Sequence, residues 1–321
     1  MPPKIKGMPL QTTPTKRFTL MLSGEDAYDE APTLEPPAGL PHERFLLGDR
    51  VPIAPILLLG QSLLSIDSDL IIANLQPVHL HATRDHLILM HQNQIDLTMD
   101  ESKELLKLAL PYLEDDFQNP ILFQGRFDWF IPAGPFASLA SHSIDQAHGR
   151  NIDWWMPHDT SVAGLAKRWR KLQNEIQMLW HIDEVNTRRE QKGLPSINSL
   201  WLSGIGKLSD VQTPKSINQA LYLYGDHPLL AGLSKHLGIP HQKTMNYSQL
   251  ANSFAWLQQP KLAWPDFSSA LLNKEIDEIE LIDFPSGKMR QRILTAKDII
   301  TSSWMFWKKP EPLSWEVISK A

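Results

Sequence analysis

The chain has 321 residues, of which 42% are hydrophobic and 21% are charged, a composition typical of a globular protein with one or two domains. The net charge of −5 at pH 7 disfavours a general nucleic-acid binder, which would present a basic face. The absence of cysteine excludes disulfides, thiol catalysis and cysteine–zinc sites.

The ends and apolar runs of the chain bear on its location. Residues 1–17 are polar, contain no apolar run of signal-peptide length, and are predicted to form a flexible leader. The longest apolar stretch, residues 52–60, is too short to span a bilayer. Together with the missing cysteines, these features predict a cytoplasmic protein without a membrane partner.

The first half mixes short strands and helices. RFTLMLS at 17–23 predicts a first strand, and a proline-rich connector follows at 30–44. APILLLGQSLL at 54–64 is compatible with a buried helix or a strand, because the spacing of its apolar residues does not distinguish the two. Residues 70–90 predict a hairpin, 100–113 a helix that Asp100 can cap, and 119–132 a strand pair around Gly125.

The second half alternates strands and helices. Residues 166–192 predict one helix, because Trp169, Leu172, Ile176 and Leu179 repeat at helical spacing and Gly193 follows. We expect residues 197–203 and 220–224 to be neighbouring strands of a central sheet, with this helix packed on one face. A helix at 228–237, closed by Gly238, and a late hairpin around 285–288 complete the pattern.

These elements predict an α/β fold with a central sheet and flanking helices, and a mixed α+β first half. The predicted division places a mixed α+β lobe at 18–165 and an α/β lobe at 166–321, either as two units or as one continuous domain.

The segment Gly204-Ile205-Gly206-Lys207 follows a predicted strand, where many proteins hold a phosphate. A P-loop needs glycine at 201 and a hydroxyl residue at 208, but the chain has Trp201 and Leu208. A dinucleotide loop needs a third glycine where Ser209 stands. The pattern therefore favours a tight turn, with Lys207 kept as a candidate ligand-binding residue.

Acidic and histidine side chains form three groups. His79 and His81 would face the same side of a strand, either as zinc or manganese ligands or as ordinary strand histidines. The second group is Asp145, His148, Arg150 and Asp153, in which Asp145 and His148, three residues apart on a helix, can share a metal or a proton, or serve in capping and surface pairing.

The third group, Asp226 and His227, follows a strand and precedes a helix, where ligands bind in α/β sheets. The pair can bind a divalent cation, or Asp226 can simply cap the helix. Asp145, His148, Asp226 and His227 are thus the candidate metal ligands.

A polar strip on the predicted long helix provides further ligand-binding candidates. It lines a cleft or a partner surface, or it is a solvated face. Its members are Asn174, Gln177, His181 and Arg188.

Four blocks, SIDQAHGRNIDWWMP, LQNEIQMLWHIDEVNTRREQKGLPSINSLWLSGIGKL, GDHPLLAGL and WMFWKKP, together resemble a proteobacterial family. It is labelled RpfE-type regulatory protein or, loosely, cofactor-independent phosphoglycerate mutase-like. The mutase label implies two divalent metals, Mn or Mg, bound by Asp and His, and a Ser or Thr that takes the phosphoryl group. Asp226-His227 matches the Asp-His element, whereas the first strand offers Ser23 and Asp26 in a different register, and no nucleophile is identified.

The sequence therefore predicts a cytoplasmic regulatory protein of the RpfE type without a complete catalytic set. One alternative is a metal-dependent phosphomutase or phosphatase. Another is a small-molecule binding module that uses a tryptophan-rich, histidine-containing cleft. The predicted partner is a small molecule or a protein.

Overall fold

The computed structural model describes residues 15–26, 38–117, 120–301 and 311–320. Most of the predicted leader, much of the proline-rich connector and the block WMFWKKP lie outside these residues. Among the described helices, none has the length and apolar character that crossing a membrane requires.

Short strands and helices succeed one another along the described chain. The strands are β1 (Arg17–Met21), β2 (Ile72–Val78), β3 (Leu80–Ala82), β4 (Leu87–Leu89), β5 (Phe123–Gln124), β6 (Trp129–Pro132), β7 (Leu139–Ala140), β8 (His158–Asp159), β9 (Ser199–Gly206), β10 (Leu223–Tyr224), β11 (His241–Gln242), β12 (Ser253–Trp256), β13 (Glu278–Asp283) and β14 (Arg290–Leu294). The α-helices are α1 (Pro41–Leu47), α2 (Ile53–Gln61), α3 (Gln92–Ile95), α4 (Met99–Glu114), α5 (Ile144–Ala147), α6 (Leu165–His181), α7 (Glu184–Gln191), α8 (Lys215–Asn218), α9 (Pro228–Leu237), α10 (Pro260–Leu272) and α11 (Trp315–Lys320).

The central sheet has six strands in the order β11-β10-β12-β1-β13-β14. All neighbours pair in parallel except β14, which is antiparallel to β13. Strand β1 lies in the middle, where Phe18 and Leu20 on one face and Met21 on the other are fully buried. An apolar run buried on both faces is typical of a parallel strand covered by helices. The predicted α/β fold with a central sheet and flanking helices is confirmed.

A second, antiparallel sheet has the order β5-β6-β2-β9. All seven residues of β2 are buried. The side chains of Trp129, Trp169 and Trp180 lie in the core that packs between this sheet and helices α4 and α6. These tryptophans are therefore core residues, and they do not form a ligand-stacking surface.

Helix α2 connects the two sheets. It contacts β2 and β9 of the antiparallel sheet on one side and α9, which follows β10 of the central sheet, on the other. The helices α2 and α9 approach closely where Gly60 faces Gly232. The ambiguous segment 54–64 is thus mostly helical and holds the two layers together.

The prediction that residues 197–203 and 220–224 form neighbouring strands is wrong. Strand β9 pairs antiparallel with β2, whereas the two-residue β10 lies between β11 and β12 in the central sheet. The cause is that β9 is long and apolar and finds its partner far away in sequence. Strands β1 and β9 each pair with strands that lie on the other side of residue 165 in the sequence. The predicted division into two lobes at residue 165 stays a prediction.

The single helix predicted at 166–192 is instead two helices, α6 and α7. Asp183 ends the continuity because its carboxylate accepts a hydrogen bond from the backbone N–H of Val185 at 2.8 Å and caps α7. The predicted packing of this helix against residues 197–203 is present between α6 and β9, but on the antiparallel sheet and not on the central sheet. Of the four predicted contact residues, Trp169, Leu172 and Ile176 are buried and Leu179 is partly buried.

Several local predictions are confirmed. The first strand, the β3–β4 and β5–β6 hairpins and the late β13–β14 hairpin are present. Helix α9 ends at Gly238, which has a φ of 69°. The cap of α4 is not Asp100 but Thr98, whose hydroxyl accepts from the backbone N–H of Glu101 at 3.2 Å.

Candidate functional site

A cleft of about 490 Å³ opens at the carboxyl ends of the parallel strands β1, β10 and β12. Ligands of open α/β sheets bind at this edge, because the loops that leave the strands meet there. The opposite wall comes from α1 and from the loops around α5. The residues that line it include Ser23, His42, Asp145, His148, Arg150, His227, Trp256 and Gln258.

Two uncharged imidazoles flank Trp256 at the base of the cleft. The ring of His227 stacks on the indole with centroids 3.8 Å apart, and the ring of His42 lies 5.0 Å from it. Burial lowers the pKa of His42 to about 4 and that of His227 to about 3. Both rings are therefore neutral at pH 7.

His227 also serves the backbone. Its Nδ1 accepts a hydrogen bond from the N–H of Leu229 at 3.3 Å and caps α9, so the predicted capping role belongs to His227 and not to Asp226. With Nδ1 acting as the acceptor, the proton of the neutral ring lies on Nε2. This tautomer makes Nε2 a hydrogen-bond donor and leaves it no lone pair for a metal ion.

Arg150 is the cation of the cleft wall, and its hydrogen bonding is incomplete. Its Nη2 is 3.4 Å from the backbone oxygen of Asp26, and its guanidinium lies 5.0 Å from the Trp155 ring centroid. Its Nη1 is buried without a hydrogen-bond partner in the described part of the chain. The Asp26 carboxylate accepts instead from Arg44 Nη2 and Gln146 Nε2, each at 3.1 Å.

Ser23 follows β1 and places a hydroxyl in the cleft. Its Oγ accepts a hydrogen bond from the indole Nε1 of Trp256 at 2.9 Å. The hydroxyl proton is free to be donated to another group, because this bond uses only an acceptor position of the oxygen. The residue noted in the sequence as out of register is thus part of the cleft wall.

An inner cavity of about 160 Å³ adjoins the cleft and shares Asp145 and His227 with it. Its polar centre is Asp128, whose carboxylate accepts hydrogen bonds from the side-chain amides of Gln61, Asn74 and Gln76 at 3.1, 2.7 and 3.0 Å. These four residues lie far apart in sequence, and no local pattern predicts their convergence.

Glu43 on α1 also lines the inner cavity and is almost completely buried. Burial raises the pKa of its carboxyl group to about 8. One oxygen accepts the backbone N–H of Leu40 at 2.6 Å. Glu43 is therefore predominantly a neutral carboxylic acid at pH 7.

Three of the four predicted metal ligands line the cleft, and the fourth does not. Asp145, His148 and His227 lie in its wall, whereas the exposed Asp226 forms an ion pair with Lys243 at 2.8 Å. Within the described residues, no three His, Asp or Glu side chains are grouped to hold a metal ion. These positions do not fit the two-metal centre that the mutase label implies, and metal binding stays a prediction.

The predicted ligand-binding strip does not reach the cleft. Asn174 lies on the outer surface of α6, and Arg188 on α7 pairs with Glu104. Neither Gln177 nor His181 is among the residues that line the cleft or the inner cavity. Ligand binding by the strip stays a prediction, although the break before α7 interrupts the single face on which it was based.

The glycine segment is explained by packing. Gly204 has a φ of 65°, and a Cβ there would lie 2.9 Å from the backbone nitrogen of Ala54 in α2. The Lys207 ammonium pairs with Asp69 at 3.1 Å. The segment forms the bulged end of β9 and not a separate tight turn. Glycine is needed at 204 because α2 packs too closely for a larger side chain.

The His79 and His81 rings are neighbours, 5.9 Å apart, as the strand alternation predicts. The Nδ1 of His79 is 2.7 Å from the backbone oxygen of Ser196, and neither histidine lines the cleft. The pair is separate from the candidate site.

Comparisons with known proteins give only distant similarities. No protein-family model matches the chain, and no curated protein matches it. Among solved structures, it is similar to the PH0037 protein from Pyrococcus horikoshii, with a TM-score of 0.40, 12% identity, and coverage of 84% of this chain and 82% of that one. It is also similar to the cofactor-independent phosphoglycerate mutase from Thermoplasma acidophilum, with a TM-score of 0.37, 11% identity, and coverage of 87% and 89%. Membership of the RpfE-type family stays a prediction.

Proposed function

We propose that the chain is a small-molecule-binding protein whose cleft takes a small organic anion at Arg150. The observation on which this depends is the buried Nη1 of Arg150, which has no partner among the described residues. A buried donor without an acceptor costs about 1–3 kcal/mol, and more when it is charged. An anionic ligand group at this nitrogen would remove that cost.

The rest of the cleft favours an organic ligand over a bare inorganic anion. Its volume of about 490 Å³ lies within the range of small-molecule sites. Beside Arg150 and the carboxylates of Glu25 and Asp145, it offers neutral hydrogen-bonding groups, among them the Ser23 hydroxyl and the two uncharged imidazoles of His42 and His227. Such groups bind the hydroxyl and carbonyl groups of a ligand without adding charge.

We further propose a regulatory role in the cytoplasm. Its basis is the resemblance of four sequence blocks to the RpfE-type family, together with the structural use of the Asp-His element. Asp226 is paired with Lys243, and His227 caps α9 through Nδ1. In this arrangement His227 supports the cleft wall and Asp226 lies outside it, which favours a structural role for the two residues.

Calorimetric titration with 3-phosphoglycerate, glycerate and inorganic phosphate tests the proposed anion site. We expect at least one of the two organic anions to bind more tightly than phosphate. In Arg150→Met, which removes the guanidinium and keeps an unbranched side chain, its affinity should fall by about tenfold or more, a loss of about 1.4 kcal/mol. Arg84→Met is the matched control, because Arg84 is exposed on the β3–β4 loop, and it should bind as the unaltered chain does.

Three results would overturn this proposal. They are no binding of either organic anion up to about 10 mM, an equal loss of affinity in Arg84→Met, and binding of inorganic phosphate as tightly as the organic anions.

The alternative function is metal-dependent phosphoryl transfer, and one observation favours it. Ser23 presents a hydroxyl at the end of β1, where the sequence alone identified no nucleophile. In such enzymes the metal ions stabilise the charge of the transferring group. The present positions of Asp226 and His227 provide no such centre.

We therefore expect no phosphoglycerate mutase turnover when Mn or Mg is supplied, even at high protein concentration in a coupled assay. A metal-dependent turnover that disappears in Ser23→Ala, Asp226→Ala and His227→Ala, each with an unchanged melting transition, would establish the alternative. Lys243→Ala is the control, since it frees Asp226 without removing a proposed ligand.

A further inference from the structure

The inner cavity differs from the cleft in having no lysine or arginine in its lining, whereas the cleft contains Arg150 beside the carboxylates of Glu25 and Asp145. In the cavity, Asp128 and Asp145 contribute carboxylates. Asp128 accepts only amide hydrogen bonds in the described part of the chain, and no cation faces it there. A small polar cavity of this charge favours a cationic guest.

Asn74 provides a second, independent observation. It is 1% exposed, lines the inner cavity, and uses its Nδ2 to donate to Asp128 at 2.7 Å. That bond fixes the orientation of the amide, so Oδ1 is an acceptor, and it has no partner among the described residues. A buried acceptor of this kind needs a hydrogen-bond donor from a ligand or from water.

The remaining cavity groups are compatible with a donor-rich guest. Glu43 is neutral because burial raises its pKa to about 8, so its carboxyl oxygens add acceptor capacity without much additional charge. The one mismatched group is Gln92, whose Nε2 is an unpartnered donor. This N–H group can donate a hydrogen bond to an oxygen atom of the same ligand. The cavity volume of about 160 Å³ corresponds to about five water molecules, enough for an aminomethyl group.

We infer that the inner cavity binds the ammonium group of the ligand through Asn74 and Asp128, so that the molecule bound in the cleft is an amino acid-like zwitterion. This inference rests on the proposed function, because the carboxylate of the same molecule occupies the anion site at Arg150. The cavity and the cleft adjoin at Asp145 and His227, and the inference requires one molecule to extend past these two residues into both.

A series of ω-amino acids tests the inference. β-Alanine, 4-aminobutyrate and 5-aminovalerate are titrated beside propionate, butyrate and valerate, which lack only the amine. We expect one amino acid to bind about tenfold or more tightly than its partner acid. This ratio should fall to about threefold or less in Asp128→Asn, which keeps the shape of the side chain but removes its charge.

Asn74→Ala is the second variant, in case Asp128→Asn disturbs the amide network, and it should lower the same ratio. Arg150→Met should weaken both members of each pair equally. Titration with ethylammonium, which has no carboxylate, tests the amine site separately from the anion site at Arg150. If it binds, and binding is lost in Asp128→Asn and Asn74→Ala, the amine site stands even where no carboxylate binds at Arg150.

Two results would overturn the amine site. One is that no amino acid is preferred over its partner acid at any chain length while ethylammonium also fails to bind. The other is a preference that remains unchanged in both Asp128→Asn and Asn74→Ala.

Discussion

Gly232→Ala is expected to destabilise the protein more than any other substitution considered for this chain. A Cβ at Gly232 would lie 1.9 Å from the backbone oxygen of Ile56 and 2.7 Å from its carbonyl carbon. Because the clash is with backbone, α2 and α9 would have to move apart. Overpacking costs about 1–3 kcal/mol and occasionally more, and we expect a loss above about 3 kcal/mol in the free energy of unfolding.

Urea denaturation measures this loss, and Gly134→Ala is the matched control. No heavy atom lies within 4 Å of a Cβ at Gly134, so its effect should stay within about 0.5 kcal/mol. A Gly232→Ala protein as stable as the control would contradict the described contact. It would also remove the reason for placing His227 at the cleft, since His227 caps α9 and Gly232 fixes that helix against α2.

Glu43→Gln is expected to stabilise the protein at alkaline pH. The folded pKa of about 8 lies above the ordinary value of 4.5, because burial disfavours the charged carboxylate. The native state therefore keeps the proton that the unfolded state releases. The associated stability is present in full below about pH 4.5 and is lost as the pH rises through 8.

The substitution removes this pH dependence, while the glutamine oxygen can still accept the N–H of Leu40. We expect the stability of Glu43→Gln relative to the unaltered chain to rise between pH 5 and pH 9. The upper limit is about 5 kcal/mol, which corresponds to the full pKa shift.

Unfolding curves at a series of pH values provide the measurement, and the exposed Glu114→Gln is the control. The histidines His42 and His227 have lowered pKa values, so their contribution is lost as the pH falls below about 6.5, in both proteins alike. A stability difference that stays constant from pH 5 to pH 9 would show that Glu43 is charged in the folded state.

Local patterns predicted much of the secondary structure. Alternation and turn residues identified β1 and the hairpins, and the order of proline and glycine identified the ends of α9. The break at Asp183 was also readable, because an aspartate before Glu184 and Val185 is a typical helix start. The regular spacing from Trp169 to Leu179 obscured it.

Strand pairing was beyond the sequence because it is decided by distant partners. Six of the eight residues of β9 pair with β2, more than a hundred residues earlier, and nothing local distinguishes this from pairing with β10. Long-range pairing depends on which apolar faces bury one another, and a single sequence does not show that choice.

The candidate site was predictable only in part, and for the same reason. Asp145, His148 and His227 were identified as members of polar groups, and they do line one cleft. Arg150 was noted in the same group as Asp145 and His148 but was not named as a ligand-binding candidate, and Asn74 was not noted, because the importance of both comes from missing hydrogen-bond partners. Only the folded arrangement reveals which polar atoms lack a partner.

The most direct test of the central claim is a crystal structure grown with the organic anion that binds most tightly in the titrations. The proposed function predicts its carboxylate or phosphate within hydrogen-bonding distance of the Arg150 Nη1, in the cleft between Ser23 and Asp145. An anion bound elsewhere on the molecule, with Nη1 still unpartnered, would contradict the claim.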